Sequence, residues 1–337
     1  MYHTEWGMVG HGWAVHQLTQ ALKAGRLRHA YLITGPAEIG KTTLARRLAA
    51  AVNCTAAAGR PCGQCRSCTL IERHAHSDVT TISANEGTLK IDQVREMVQS
   101  LSLRPLEGRH RVMILRRFHE ASGAAMDALL KTLEEPPPYV LILITADTTD
   151  GLLPTIRSRC QPLVLRPVPP PAIREALITH WGVDPDKAAL LAQLSAGRLG
   201  WAVRASDDAD LQARRTAWIA DLEKAIQSDR VGRFALAEAL AKNKDDLPAI
   251  LDLWTSYWRD VLLLTANTTT PIVNRDRRHT LDQIARTISL DDAFRLVRAV
   301  RRTVGYLGAN VNTRLALEVL TLDIPRLRLY DAPPGSP

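Results

Sequence analysis

Apolar positions change their spacing part-way along this chain. Up to residue 165, short apolar runs alternate with segments of helical period; beyond residue 171 only the helical period remains. The runs His29-Ala-Tyr-Leu-Ile-Thr34, Asp78-Val-Thr-Thr-Ile-Ser83, Arg111-Val-Met-Ile-Leu115, Tyr139-Val-Leu-Ile-Leu-Ile-Thr145 and Pro162-Leu-Val-Leu165 are short and rich in branched side chains. That pattern predicts strands. Between them, residues 41–52 carry Leu44, Leu48 and Val52 on one helical face. Residues 91–101 carry Ile91, Val94, Val98 and Leu101 in the same way, and a helix over 124–134 is stopped by Pro136-Pro137-Pro138. Apolar strands alternating with helices imply a mainly parallel sheet covered on both faces.

The proline-rich stretch Arg166-Pro-Val-Pro-Pro-Pro171 reads as a linker. Past it, helices are expected over 172–181, 187–194 and 200–205 as a small unit. Longer ones follow over 211–227, 233–241, 247–265, 281–287, 290–307 and 313–322. Trp254, Tyr257 and Trp258 share one helical face, which suits core or subunit packing better than base stacking. The tail, residues 331–337, is expected to be disordered.

Composition adds bounds. At 337 residues and 46% hydrophobic content, the chain can fill two or three domain cores. A net charge of +8 favours contact with nucleic acid or another polyanion, or else reflects a generically basic surface. No stretch approaches the ~20 apolar residues of a membrane span. The N-terminus has neither the basic head nor the apolar run of a signal peptide. Five cysteines, four of them clustered, suit a reducing cytoplasm and a metal better than a disulfide framework.

Gly35-Pro-Ala-Glu-Ile-Gly-Lys-Thr42 fits the phosphate-loop pattern G-x-x-x-x-G-K-[ST], between an expected strand and helix. In that reading Gly35, Gly40 and Thr43 belong to a backbone cradle for the ATP phosphates. Lys41 reaches the β and γ oxygens, and Thr42 holds Mg²⁺. Glu38 places a carboxylate inside an anion-binding loop, so the alternative is a vestigial loop kept for the fold. Hydrolysis also needs a carboxylate to orient Mg²⁺ and another to position water. The strand that should deliver them, Val112-Met-Ile-Leu115, ends in Arg116-Arg117, and Glu120 on the next segment is poorly placed to substitute. Two guanidiniums neither coordinate Mg²⁺ nor accept a proton. If ATP binds, occupancy without turnover is the expectation.

Cys54-x₇-Cys62-x₂-Cys65-x₂-Cys68 supplies four thiolates, as a structural Zn²⁺ requires, and four thiolates leave no open position for catalysis. An iron–sulfur cluster is the alternative, though the trailing Cys-Pro of a ferredoxin run is missing. Arg159, in Leu152-Leu-Pro-Thr-Ile-Arg-Ser-Arg-Cys160, reads by itself as a surface or ion-pairing residue.

Ala128-Leu-Leu-Lys-Thr-Leu-Glu-Glu-Pro-Pro137, the Leu152-to-Cys160 run and the cysteine cluster together resemble the bacterial clamp-loader branch of the AAA+ ATPases. Lys90-Ile-Asp-Gln-Val-Arg95 and Leu101-Ser-Leu-Arg-Pro-Leu-Glu-Gly108 add to the likeness, which covers roughly residues 10–205. The resemblance implies an α/β P-loop parallel-sheet domain over 1–166 with a zinc module at 54–68. A helical lid over 167–206 and an all-α collar over 207–330 would follow. It implies a cytoplasmic, non-hydrolysing subunit of a five-subunit arc that serves the replicative DNA polymerase III and places a sliding clamp on primed DNA. The partners would be ATPase subunits of the gamma/tau type, a delta subunit, the clamp and, through the assembly, DNA; no membrane is involved. Arg159 would be an arginine finger acting in trans on the neighbouring subunit's ATP site, worth ~10³–10⁵ in rate. The family's ATPase paralogue keeps the acidic pair. It also carries a phosphate-sensing arginine near the position of Gly200, and a glycine is usual at the position of Glu38. Two other readings stand beside this one: an active gamma/tau-type motor with Glu120 as its carboxylate, and a zinc-containing nucleic-acid-binding scaffold.

Overall fold

Five strands, β1 Ala30–Thr34, β2 Val79–Ser83, β3 Arg111–Arg116, β4 Val140–Ala146 and β5 Gln161–Val164, form one sheet in the order β2-β3-β4-β1-β5. All the pairings are parallel. The chain is seen here in a computed structural model that describes residues 6–57, 59–83, 89–208, 210–308 and 311–328. The tail at 331–337 lies outside the described residues. Every residue of β1 and β4 is buried, as both-face coverage demands of an apolar run. β2 pairs only with β3 and is partly exposed, which suits its Thr80, Thr81 and Ser83.

The helices divide between the two faces. Here α1 is Gly12–Lys23, α2 is Lys41–Asn53 and α3 is Arg66–Glu72. Leu18, Leu44, Leu48 and Ile71 from these helices bury against Val112, Ile114, Leu141 and Leu143. On the other face lie α4 Ile91–Leu101, α5 Gly123–Glu134 and α6 Pro154–Arg159, with Val94, Leu101, Leu129 and Ile156 packed against Met113, Leu115 and Ile142. The alternation Val112, Ile114 against Met113, Leu115 is the period of two that lets one strand serve two cores. Three helices, α1, α3 and α6, are additions to the elements expected from the pattern. α3 and α6 are too short, at 7 and 6 residues, to establish a periodicity.

Three helices follow the sheet: α7 Pro170–Trp181, α8 Pro185–Leu194 and α9 Leu199–Ser206. The proline stretch before them is pinned rather than free. Val168 is buried and its N–H donates to Gly197 O at 3.0 Å. A Cβ at Gly197, where φ is +84°, would lie 2.4 Å from Pro167. These helices share one compact unit with the sheet, Met1–Ser206.

The second unit, Asp207–Pro337, is helical throughout its described elements. It holds α10 Leu211–Gln227, α11 Arg230–Lys242, α12 Leu247–Thr265, α13 Arg278–Thr287, α14 Leu290–Gly308 and α15 Thr313–Asp323. Trp254, Tyr257 and Trp258 are fully buried and centre its core, as the packing reading of those aromatics expects. A buried polar clasp ties the α12–α13 connection down. Asp260 accepts hydrogen bonds from the N–H groups of Val273 and Asn274, while Arg215 grips Asp276 with two bonds of 2.6 and 2.9 Å.

The architecture is therefore a parallel α/β sheet with a phosphate-loop sequence after β1, three further helices in the same unit and a C-terminal all-α unit.

Candidate functional site

Pairing register sets the first site. Thr34, the last residue of β1, stands opposite Ala146 of β4, so the loops leaving the two strands emerge side by side. One carries Gly35–Thr42 and the other begins with Asp147. Leu165 N donates to Thr34 O at 2.7 Å, and a Cβ on Gly35 would lie 2.6 Å from Leu165 O. Gly35 has φ +144° and Gly40 φ +109°, so both use backbone freedom that other residues lack. Glu38 adopts φ +62° without that freedom, where left-handed backbone costs a non-glycine residue ~1–2 kcal/mol.

A cavity of about 630 Å³ opens over this loop, lined by Glu38, Gly40, Lys41, Thr42, Thr43 and Asp147 among others. Lys41 is buried, and its ammonium meets Gly35 O, Pro36 O and Asp147 Oδ1, each at 2.7 Å. Those three partners use all of its donors. Burial pulls the Lys41 pKa below the ordinary lysine value; Asp147 opposes the pull and Arg117 adds to it. Sequence reasoning missed Asp147. Its signal is a lone carboxylate directly after an apolar strand.

Arg116 and Arg117 both line the cavity at the end of β3. Arg117 N donates to Thr145 Oγ1, and its guanidinium pairs with Glu120. Glu120 sits in a short 3₁₀ turn, Phe118–Glu120, and does not line the cavity among the described residues. Helix α9 lines the other side with Leu199, Gly200, Val203 and Arg204. Gly200 N donates to Glu38 O at 2.9 Å, a Cβ on Gly200 would approach that oxygen to 2.8 Å, and Arg204 pairs with the Glu38 carboxylate. Arg204 therefore reaches the phosphate loop from one turn beyond Gly200.

The four cysteines converge. The Sγ atoms of Cys54, Cys62, Cys65 and Cys68 all lie within 4.8 Å of one another, with Cys54 and Cys65 3.9 Å apart. Four sulfurs ~2.3 Å from one tetrahedral centre stand ~3.8 Å apart, so the set fits a metal ion. Backbone N–H groups of Cys62, Cys65 and Cys68 donate to the sulfurs of Cys54, Cys62 and Cys65 at 3.3–3.5 Å. Burial pushes the Cys65 thiol up, but backbone hydrogen bonds from Cys68 and Thr55 outweigh it and bring it down to about 5. Burial raises the Cys68 thiol. α3 begins within this cluster, with Cys65 as its N-cap.

Arg159 stands apart from the phosphate loop. It ends α6, donates to Thr155 O at 3.0 Å, pairs with Glu134 at 2.7 Å and does not line the cavity.

Two family models match the chain: the delta subunit of DNA polymerase III over residues 10–169, and the C-terminal part of that delta subunit over 209–325. The tau subunit of Escherichia coli is 35% identical over 208 residues, covering 60% of this chain and 32% of that protein. The delta' subunit of Haemophilus influenzae is 37% identical over 147 residues, covering 43% and 45%. The chain thus spans less than half the length of either relative. A solved gamma-subunit-related protein from Thermotoga maritima covers 92% of this chain and 99% of its own at 18% identity, with a TM-score of 0.37. The two family matches leave only residues 1–9, 170–208 and 326–337 unmatched, and the chain belongs to the DNA polymerase III delta-subunit family of clamp-loader proteins.

Proposed function

We propose that this chain is a delta-prime-type clamp-loader subunit that does not split ATP itself and lends Arg159 to the ATP site of an adjoining subunit. The end of β3 carries the reading. Arg116 and Arg117 line the phosphate-loop cavity where Mg²⁺-orienting and water-positioning carboxylates would be needed. Asp147, the nearby carboxylate, is committed to Lys41. Arg159 serves none of this chain's own cavity, and its half-exposed guanidinium on α6 is within reach of another protein. A finger and a water-activating group belong to different sites, so losing one leaves the other useful.

Around that core, the four cysteines hold a structural Zn²⁺, since a saturated thiolate set offers no open position. Gly35, Gly40, Lys41, Thr42 and Thr43 form a vestigial nucleotide cradle. The second unit serves as a collar. Leu315, Val319 and Leu322 form an exposed apolar stripe at i, i+4, i+7 on α15, the face that neighbouring subunits would cover. The partners are gamma/tau-type ATPase subunits, a delta subunit, the sliding clamp and primed DNA, in the cytoplasm. No described helix is long and apolar enough to cross a membrane.

The test is reconstitution with gamma/tau-type and delta subunits. Arg159→Ala is expected to cut hydrolysis at the neighbouring site by about 10³, while the purified chain alone stays at background. Brisk turnover by the lone chain, or unchanged hydrolysis with Arg159→Ala, rejects the assignment.

A further inference from the structure

A second polar cavity, of about 270 Å³, lies along the edge strand β2 on the face that α2 and α3 cover. Its floor follows from the pleat. Val79, Thr81 and Ser83 alternate onto that face, and the parallel register sets Arg116 opposite Ser83. The buried apolar face formed deeper in the sheet by Val112 and Ile114 thus turns polar at the strand ends, where open α/β sheets present their ligand crevices. Arg46 of α2, with His74 and His76 from the turn after α3, forms the opposite wall.

The lining offers donors. Arg46 Nη1 donates to His74 Nε2 at 3.0 Å, and the buried Arg46 Nε has no partner among the described residues. His76 is 4% exposed. Its Nδ1 accepts from Asp78 N at 3.1 Å, so the proton sits on Nε2, which is buried and also unpartnered among the described residues. Such orphaned buried donors call for an acceptor. Among the described residues no carboxylate lines the cavity; Glu107, whose charge feels His76, is committed to Ser77 and Arg66. From Val79 to Ser83 the strand runs ~13 Å at ~3.3 Å per residue. A nucleic-acid strand carries one charge per ~3.4 Å of helix axis, so more than one phosphate fits along the groove.

We propose that this groove binds the phosphate backbone of a nucleic-acid strand. Arg46 and Arg116 supply the charge, His76 Nε2 donates from the floor, and Thr81 and Ser83 add hydroxyls. The site is separate from the phosphate loop, though Arg116 borders both cavities. It requires neither nucleotide binding nor the arginine-finger assignment.

Fluorescence anisotropy with labelled single-stranded dT₁₂ tests it on the full chain. The Arg46→Gln/Arg116→Gln double variant is expected to bind at least tenfold more weakly and to lose roughly two units of salt slope. Arg230→Gln, which removes an exposed cation at the start of α11 that lines neither cavity, is expected to bind as the parent does. In parallel, the His76 side-chain Nε2–H resonance is expected to shift on titration with the oligonucleotide in the parent and to stay still in the double variant. Undiminished binding by the double variant overturns the proposal. So does a matching loss in Arg230→Gln, or a His76 signal that never moves. A poly-glutamate peptide that moves the same resonance with equal affinity would show an acidic-peptide groove instead and overturn it too.

Discussion

At the scale of single residues, what decides each polar group is how many partners it has. Asp78 is buried yet receives N–H bonds from Leu106, Glu107 and Gly108 at 2.7–2.9 Å and faces Arg111 at 3.7 Å. Burial alone would raise its pKa; the three N–H groups and Arg111 outweigh it and hold the carboxyl below the ordinary carboxylate range. A depressed folded pKa gives stability that is complete above the unfolded value, near 4, and is lost as pH falls through the folded one. Asp78→Asn is expected to lower stability at pH 7 by ~2 kcal/mol and to flatten the acid limb of the stability curve. Urea unfolding at pH 7 and pH 3 reads both, and equal stability at pH 7 would contradict the assigned role. Lys41 obeys the same arithmetic: its three contacts saturate its donors, so an incoming phosphate must displace one of them.

At the scale of elements, local pattern and long-range partner diverge. Each expected strand lies within a residue or so of the observed one, because a run buried on both faces must be apolar throughout. Helix starts are less legible. α8 begins at Pro185, two residues earlier than its periodicity implies, because Asp184 caps it through the N–H groups of Asp186 and Lys187. α3 depends on the cysteines, since its N-cap is Cys65 and Cys68 lies in its first turn. If the cysteine cluster holds a metal, removing it with a chelator is expected to abolish amide-exchange protection over Arg66–Glu72 while β1 and β4 keep theirs. Unchanged protection after metal loss would mean that the cluster is not what holds α3.

At the scale of the molecule, each unit carries its own apolar core. One is centred on Trp254, Tyr257 and Trp258; the sheet unit holds a separate cluster on each face of its strands. Trp258 is fully buried, so Trp258→Ala is expected to destabilise the helical unit by ~3–5 kcal/mol. Amide exchange in α12 and α14 reports it, with β1 and β4 as the reference. Loss of protection confined to the sheet unit would contradict this division of cores. The +8 charge has no single location at this scale; four arginines, Arg47, Arg116, Arg117 and Arg204, border the phosphate-loop cavity, and Arg116 also borders the β2 groove beside Arg46.

The chain alone determined what short range can specify: which runs are strands, a glycine-and-lysine loop between a strand and a helix, and a cysteine quartet packed into 15 residues. Each is written in neighbouring positions, so spacing suffices to read it. Only the tertiary structure decided that Asp147 meets Lys41, that Arg204 reaches Glu38 across 166 residues, and that His76 faces Arg46 and Arg116 along one groove. These meetings depend on sheet register and on how α9 docks, and no local pattern in the chain encodes either. Glu38 is legible only in part. Its identity breaks a glycine-favouring turn in plain view, but the lid arginine that neutralises it belongs to a helix whose approach is set by packing alone.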